Sequence, residues 1–443
     1  MKALLVYPAI SLGGFGKRHH PGGEARWIPH GLGLVATCAR AAGFDVDVLD
    51  LRDLAGWEDF EGRIAEARPG VVGVSVSYVD YRPALQAIDA VKRLAPTTKV
   101  VVGGILPSNF PDLFLEDERV DHVVIGEGEI SFVELLQAME GGLCYPRLVV
   151  GKRPDLDGLP FLDRELFDHQ AEMSTTFCPA QKAPVITMIA GRGCPYNCAY
   201  CQPAERSVFG SHRLRSPKNV VAELEELREW YAFESITWWD DTFTVSPKWV
   251  REFCDLYQSR GFKATMVACS RADIVCRNEG MVERLAEVGT VCLVIGMESG
   301  SQRILDLLGK GTTVEQNLQA AEICRRHGIE VYATAMLGLP TETNEEAAST
   351  MDMLERMDPD VVNLFYFNPI PGTRLYDFCE QNGLILRNDP FDIARTGEYS
   401  PKIEGVDYGY LDKLRATRLQ SGRWATRLRY ARERERILAF LLT

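Results

Sequence analysis

Short apolar runs alternate with amphipathic stretches along most of this 443-residue chain, and this alternation restricts the folds that it can adopt. Apolar runs of about four to eight residues indicate buried strands, whereas apolar residues spaced three and four apart indicate helices. Strands that are apolar throughout and are joined by helices are typical of parallel sheets covered on both faces. The chain is also longer than one hydrophobic core normally allows. We therefore expect an α/β protein of at least two domains.

Residues 1–140 contain the first series of alternating strands and helices. Its expected strands are residues 2–7, 45–49, 73–77, 99–102 and 122–125, with helices near 30–43 and 82–94. This order predicts an N-terminal doubly wound parallel sheet, in which a ligand binds beyond the carboxyl ends of the strands.

A second series occupies residues 183–383, after a proline-containing segment, 141–182, that we interpret as a linker. Its expected strands are residues 185–190, 235–239, 264–269, 291–296, 330–336 and 361–367, with helices near 219–231, 248–260 and 314–327. Six such units predict a partial (β/α)6 barrel with its chemistry at the carboxyl ends of the strands. Residues 384–443 are expected to form a small C-terminal helical tail.

Three cysteines follow the first strand of this second series with the spacing Cys-x3-Cys-x2-Cys, at Cys194, Cys198 and Cys201. Thiolates are the ligands that iron–sulfur clusters select, and a tight loop would let three of them converge. A four-iron cluster with three protein ligands keeps one iron open to a small molecule. Structural zinc would need a fourth ligand, for which His212 is the nearest candidate. A disulfide is disfavoured because we find no export signal in the sequence.

The bulk composition excludes several classes of function. A net charge of −13 disfavours a nucleic-acid partner, since phosphate binding requires a basic face. No window of about 18 residues is apolar enough to span a membrane. We therefore expect a cytoplasmic protein that binds neither nucleic acid nor membrane.

Polar residues and glycines follow the other strands of the second series. They include Trp239, Asp240 and Asp241, then Arg271, then Glu298 and Ser299, then Gly338, with Tyr366 on the last strand. A single carboxylate after a strand is often only a helix cap. Several such residues at successive strand ends predict a binding site at the mouth of the barrel.

These motifs together resemble the radical S-adenosylmethionine (SAM) superfamily, in the branch with an N-terminal cobalamin-binding-type domain. The shared motifs are the cysteine triad with Tyr200, Asp-Asp-x-Phe at 240–243, Gly-x-Glu-Ser-Gly at 296–300, Gly-x-Pro-x-Glu-Thr at 338–343 and Pro-x-Pro-Gly-Thr at 369–373. In the first domain the similar segments are 29–33, 102–108 and 126–129. The resemblance implies a [4Fe-4S] cluster on the three cysteines, which cleaves SAM to a 5′-deoxyadenosyl radical.

The resemblance also implies a set of contacts to SAM. The backbone near Trp239 and Asp240 would meet its amino group, and Arg271 would pair with its carboxylate. Its ribose would contact Glu298 and Ser299, and its adenine would lie near Gly338 and Tyr200. Alternatively, Arg271 forms a structural salt bridge with Asp273 or Asp240, and Asp241 caps the following helix.

Cobalamin, if bound, would lie against glycine-rich edges of the first domain, at Gly103, Gly104 and Gly126, with Ser108 nearby. A further edge is Gly13-Gly14. The Asp-x-His-x-x-Gly motif that supplies a cobalt ligand in many cobalamin proteins is absent, but this branch commonly binds cobalamin without it. The same glycines would equally suit a sheet that binds no cofactor.

Two net reactions remain open at this point. With cobalamin, the natural reaction is C-methylation of a small natural product, as in antibiotic biosynthesis. Without it, the radical could dehydrate a vicinal diol in an aminoglycoside-type sugar, assisted by Asp240, Asp241 or Tyr366. Either reaction requires an external electron donor of the flavodoxin or ferredoxin type. A binding or sensing module that merely carries a cluster is disfavoured by the predicted SAM pocket.

Overall fold

The computed structural model describes residues 1–11, 14–16, 28–167, 173–174, 176–201, 210, 212–386 and 401–419. Within these residues the chain forms two six-stranded sheets in which every strand pairing is parallel. The predicted α/β class, with a doubly wound sheet followed by a partial barrel, is confirmed. No described helix combines the length and apolarity needed to cross a membrane.

The first sheet has the strand order β2-β1-β3-β4-β5-β6. Its strands are β1 (Lys2–Tyr7), β2 (Asp45–Asp50), β3 (Val71–Ser75), β4 (Lys99–Gly103), β5 (His122–Ile125) and β6 (Leu148–Val150). Its helices are α1 (His30–Ala41), α2 (Trp57–Ala67), α3 (Tyr81–Leu94), α4 (Ile105–Asn109), α5 (Asp112–Leu115) and α6 (Glu129–Glu140). The strand order reverses beside β1, which creates the crevice where doubly wound sheets bind their ligands.

The second sheet has the strand order β7-β10-β11-β12-β13-β14 and does not close on itself. Its strands are β7 (Val185–Met188), β10 (Ser235–Trp238), β11 (Thr265–Ser270), β12 (Thr290–Glu298), β13 (Glu330–Leu337) and β14 (Val361–Tyr366). A separate antiparallel pair, β8 (Gly191–Arg192) and β9 (Arg213–Leu214), lies at the start of the cysteine loop.

The helices of the second domain cover the outer face of the curved sheet. They are α7 (Pro217–Trp230), α8 (Pro247–Ser259), α9 (Ala272–Arg277), α10 (Glu279–Glu287), α11 (Gln302–Leu307), α12 (Val314–Arg326), α13 (Asn344–Met357), α14 (Arg374–Gln381) and α15 (Tyr408–Leu419). Serine or threonine side chains cap several of these helices, which fixes where each begins. Ser246 caps α8, so the cap that we considered for Asp241 is supplied by another residue.

The segment interpreted as a linker contributes structure to both domains. Strand β6 extends the first sheet, and its three residues are too few to show a periodic pattern. Further along, Phe177 and Cys178 enter the amino-terminal end of the barrel and pack on its interior side chains. Gln181 donates a hydrogen bond to Thr237 Oγ1 (2.8 Å). This part of the segment therefore plugs the barrel from below, and the domain boundaries at 140 and 182 stay predictions.

Helix α15 packs on the barrel beside the end of β13. Tyr408 and Leu411 are buried there, and Tyr408 contacts Tyr366 edge-on, with ring centroids 5.2 Å apart. The rest of the predicted C-terminal tail, 387–400 and 420–443, lies outside the described residues, as does Gly13 of the Gly13-Gly14 edge.

Direct contacts join the two domains. The side chain of His30 in α1 hydrogen-bonds Thr187 of β7 (2.9 Å), and Tyr78 donates to the carbonyl oxygen of Pro371 (3.2 Å). Ile370 packs into the hydrophobic core of the first domain. These contacts hold the carboxyl ends of the two sheets near each other.

We predict that Phe177→Ala weakens the barrel. Phe177 is buried and meets Trp239 edge-on at 5.1 Å, so truncation leaves a cavity under the mouth of the barrel. The expected loss in the free energy of unfolding is about 3–5 kcal/mol, measured by urea unfolding followed by tryptophan fluorescence. Phe177→Leu, which largely fills the space, should lose about 1 kcal/mol. Equal stabilities of the three proteins would contradict the plug.

Candidate active site

A cavity of about 370 Å³ lies between the carboxyl ends of the two sheets. From the first domain it is lined by Leu5, Gly31, Leu32, Val35, Gly73, Val74, Ser75, Val101, Val102, Gly103, Gly104, Ile105, Val124, Gly126, Glu127, Gly128, Glu129 and Phe132. From the second domain it is lined by Ile189, Gly191, Arg192, Gly193, Trp239 and Asp241. The glycine edge predicted for cobalamin and Trp239, predicted to lie near SAM, therefore line the same cavity. The other residues predicted to bind the cluster or SAM are not among its lining residues: Cys194, Cys198, Cys201, Tyr200, Arg271, Glu298, Ser299 and Gly338.

Glycines open the backbone of the first domain to this cavity. A Cβ at Gly31 would meet nothing within 4 Å, and one at Gly103 would come no closer than 3.7 Å to its neighbours. A side chain at Gly31 would extend into open space and one at Gly103 would stand on the cavity wall beside Val124, so the two glycines leave room for a large ligand that packs on the backbone. This wall therefore fits cobalamin, which the sequence left open.

Gly104 and Ser108 shape this edge from within. Gly104 has a positive φ of 104°, and a Cβ there would lie 2.9 Å from both the nitrogen and the oxygen of Val76. Ser108 accepts a hydrogen bond from the backbone of Gly126 (2.9 Å) and donates to Gly104 (2.7 Å). Ser108 is thus buried behind the cavity wall, where it ties the two glycine loops together.

The loop that carries the cysteines is anchored at both of its sides. The backbone of Ala199 donates to Leu308 (2.7 Å) and accepts from Leu375 (2.8 Å). Arg374 donates to the carbonyl oxygen of Asn197 (2.5 Å). The chain on either side of Cys198 is therefore fixed to the barrel.

The three thiols are free of disulfides and partly buried. Cys194 Sγ lies 3.9 Å from Thr242 Oγ1, whereas Cys198 Sγ lies 3.8 Å from a guanidinium nitrogen of Arg271. Within the described residues no three metal-binding side chains are gathered into a centre, so the predicted convergence is not found. The donor set itself, three thiols outside any disulfide on one anchored loop, suits an iron–sulfur cluster.

Arg271 is buried and fully engaged by the protein. It donates to Asp273 (2.9 Å) and to the carbonyl oxygen of Lys310 (2.6 Å), and its guanidinium stacks 3.6 Å from the ring centroid of Tyr196. The alternative salt bridge with Asp273 is therefore present. The contact with Cys198 still places Arg271 beside the cysteine loop.

Glu298 forms the centre of a buried network under the cysteine loop. Its Oε1 accepts from Tyr200 (2.8 Å) and from Lys310 (2.5 Å), while its Oε2 has no partner among the described residues. Burial is the main reason why the pKa of Tyr200 lies well above its ordinary value, and the nearby Glu298 charge raises it further. A Cβ at Gly296 would collide with this network, 2.5 Å from Lys310 Nζ. The unpartnered oxygen leaves Glu298 able to accept one more hydrogen bond.

Two other predicted SAM contacts are held within the barrel. Ser299 lies 3.3 Å from Thr350 through their hydroxyl oxygens and accepts from the backbone of Ser301 (3.1 Å). Gly338 faces Tyr408 of α15, and its backbone donates to Glu342 (2.7 Å). Helix α15 therefore lies next to Gly338, the residue expected to contact the adenine of SAM.

Asp240 and Asp241 lie on the barrel side of the cavity. Asp240 is buried and accepts from the backbone of Ala190 (3.0 Å), and burial raises its pKa to about 7. The Asp241 side chain is open to the cavity, yet the surrounding protein desolvates it and raises its pKa to about 6. Asp241 and Trp239 therefore face the cavity directly, whereas Asp240 supports the strand end behind them.

Tyr366 is not brought to this cavity. Its hydroxyl donates to Asp412 of α15 (2.6 Å), and its ring packs against Tyr408. Burial is the main reason why the pKa of Tyr366 lies above its ordinary value, and the hydrogen bond to Asp412 raises it further. The structure separates Tyr366 from Asp240 and Asp241.

Four residues of this region were not singled out from the sequence: Lys310, Arg192, Glu127 and Glu129. Lys310 stands between two glycines, a local signal for a sharply turned loop, but its partner Glu298 is on another element. Glu127 and Glu129 fall inside the quoted 126–129 motif, where only the glycine was assigned a role. Their ion pairs with Arg192 join distant parts of the chain, which one sequence does not reveal.

Comparison with known families finds a match in each domain of the chain. The model of the radical SAM superfamily matches residues 188–354, and that of the B12 binding domain matches residues 24–136. The first match lies within the barrel and the second within the doubly wound sheet, on the two sides of the cavity.

Individual proteins are similar over most of the chain. An uncharacterized methyltransferase of Pyrococcus horikoshii is 28% identical over 81% of this chain and 80% of its own length. The anaerobic magnesium-protoporphyrin IX monomethyl ester cyclase of Rubrivivax gelatinosus is 26% identical over 93% and 75%. The solved structure of the radical SAM methyltransferase TsrM from Kitasatospora setae, with cobalamin and a [4Fe-4S] cluster bound, superposes with a TM-score of 0.69 at 20% identity, over 94% of this chain and 90% of that one.

We predict that Gly296→Ala disrupts the network around Glu298. The added methyl group would displace Lys310 or Glu298, which are buried and bonded to each other, so relief of the collision breaks their pair. The expected destabilisation is about 1–3 kcal/mol, with weaker SAM binding by calorimetry. Gly280→Ala is the matched control, because a Cβ at that position of α10 meets nothing within 4 Å. Equal stability and SAM affinity in both variants would contradict the role of the network.

Proposed function

Because the chain is a radical SAM enzyme that carries a B12-binding domain, we propose that it is a cobalamin-dependent methyltransferase acting at a carbon of a small molecule. When bound, the cluster supplies the electron that cleaves SAM, and cobalamin supplies the methyl group. The single observation that carries the proposal is the cavity between the sheets, which has the glycine edge on one wall and the start of the cysteine loop on the other.

The walls of this cavity suit radical chemistry on a small substrate. They are formed mainly by glycine backbone and apolar side chains, including Leu5, Val74, Val102 and Phe132. Such walls exclude water from a reactive species. Asp241 offers a hydrogen-bond acceptor at the edge of the space, which favours a substrate with an amino or hydroxyl group near the reacting carbon. An external flavodoxin- or ferredoxin-type protein would supply the electron.

The relatives support methylation over the other reaction considered. The Pyrococcus protein and TsrM are both named as methyltransferases, whereas neither they nor the cyclase is named as a dehydratase. The location of Tyr366 under α15 also removes one of the three side chains proposed to assist the loss of hydroxide. The substrate itself stays a proposal: a small natural product.

We predict that replacing Cys194, Cys198 and Cys201 together by alanine abolishes bound iron and the formation of 5′-deoxyadenosine. The three thiols are the cluster ligands that the motif provides, and each single replacement should also inactivate the enzyme. Cys254→Ala is the control, because that thiol lies on α8 and is buried in the hydrophobic core, away from the cysteine loop. Iron content, visible absorption and liquid chromatography of the products measure the result. SAM cleavage by the triple variant would contradict the assignment.

We also predict that cobalamin purifies with the protein when it is supplied during anaerobic expression. Absorption spectroscopy should show about one equivalent per chain, as expected for a dedicated cofactor domain. After chemical reduction, SAM should yield about one equivalent of S-adenosylhomocysteine per cobalamin without any substrate, because one SAM donates its methyl group to the bound cobalamin. Formation of 5′-deoxyadenosine with neither cobalamin nor S-adenosylhomocysteine would exclude methyl transfer and favour the dehydration.

A further inference from the structure

Two buried carboxylates of the first domain hold an arginine of the second. Glu127 and Glu129 lie at the turn between β5 and α6, and both side chains are almost fully buried. Arg192 of β8 donates from one terminal nitrogen to Glu127 (2.7 Å) and from the other to Glu129 (2.5 Å). We refer to these three residues as the clamp.

Neighbouring residues hold the clamp in place from both sides. Arg213 of β9 makes a second ion pair with Glu127 and donates to the carbonyl oxygen of Pro154 (3.0 Å). The backbones of Arg213 and Arg192 stand opposite each other in the antiparallel β8–β9 ladder. On the other side, Gly151 packs so closely on the backbone of Glu127 that a Cβ there would collide with it. Gly151 therefore confines Glu127 within the first domain, the ladder holds Arg192 within the second, and Arg213 adds a second ion pair between the two.

The energetics of burial make this contact strong in one arrangement only. A carboxylate removed from water is costly unless it is paired and hydrogen-bonded. A planar guanidinium satisfies two carboxylates only when both lie in its own plane and at hydrogen-bonding distance. A shift of one domain along the other would leave Glu129 buried without its partner, so the clamp resists such a shift.

The clamp also has a special location. Its three members line the cavity, and Arg192 stands two residues before Cys194. On the other side of the clamp, Glu127 directly follows Gly126, the last of the glycine edges. One ion-pair network thus joins the start of the cysteine loop to the edge expected to hold cobalamin.

We propose that Arg192 is a positioning residue, which fixes the separation between the cysteine loop and the glycine edge across the cavity. The inference rests on the proposed function, since a methyl group must reach a carbon radical formed on the other side of that space. Misplacement of reacting groups by about 1 Å can cost on the order of 10²-fold in rate. In this role the clamp acts on geometry, and no member of it takes part in the chemistry.

The first test measures the separation of the two cofactor sites directly. In the holoenzyme, with cobalamin and the cluster both reduced to paramagnetic forms, the cluster accelerates the electron-spin relaxation of cob(II)alamin to an extent that depends steeply on distance. Arg192→Gln should broaden the distribution of distances and weaken the mean acceleration by about twofold or more, as an unclamped interface permits. Arg192→Lys, which keeps the charge but reaches only one carboxylate, should be intermediate. Iron and cobalamin contents should stay at the wild-type level.

The matched control is Arg40→Gln. Arg40 likewise donates to two carboxylates, Asp163 (2.8 Å) and Asp47 (3.2 Å), but it does not line the cavity. Its loss should leave the relaxation unchanged. Arg192→Gln combined with Glu129→Gln should have no larger effect than Arg192→Gln alone, since the residues act as one unit. Additive effects, or an equal effect in Arg40→Gln, would overturn the proposal.

Amide hydrogen exchange separates this proposal from the proposed function. Residues 185–201 and 122–132 should exchange about tenfold faster or more in Arg192→Gln, because a buried pair has been broken at their contact. This measurement needs neither cobalamin nor substrate. If wild-type protein binds no cobalamin while the exchange result holds, the proposed function fails and the clamp stands. If exchange in both segments is unchanged, the clamp fails whatever the cofactor content.

Discussion

Parallel strand pairing is the constraint on which the rest of this structure depends. Because every strand in both sheets runs in the same direction as its neighbours, all carboxyl ends of a sheet meet at one edge. The loops after those ends therefore gather residues that are far apart in the chain. The two edges face each other, so loops of both sheets line one cavity. Neither domain alone encloses that space.

Much of the architecture could be predicted because buried parallel strands are apolar throughout. The strands at 2–7 and 122–125 have the predicted bounds, and most others differ by one or two residues. Strand β6 was missed because three residues show no period, and the plug around Phe177 was missed because it has no regular structure. The spacing of apolar residues reports only local structure, whereas the conformation around Phe177 depends on its contacts with the barrel interior.

The candidate site was predictable residue by residue only where a strand end alone decides the location. Trp239, Asp241, Gly103, Gly104 and Gly126 lie on the cavity, and each stands at the end of a strand or within three residues after it. Tyr366 and Gly338 are covered by α15, a contact between residues that are distant in the chain. The partners of Glu298 and Arg192 could not be predicted for the same physical reason. Ion pairs depend on where the fold brings charges, and the sequence shows only which charges exist.

The plug at the amino-terminal end gives the barrel a direction. Phe177 and Gln181 fill the end opposite the cysteine loop. In the described part of the barrel, the amino-terminal end is therefore closed, whereas the rim at the carboxyl ends of the strands faces the cavity. Within the described residues, a ligand that reaches the barrel interior would therefore enter and leave on the same side, at the carboxyl ends of the strands. The first domain stands over that rim. The route to the barrel interior would then pass through the cavity between the two sheets.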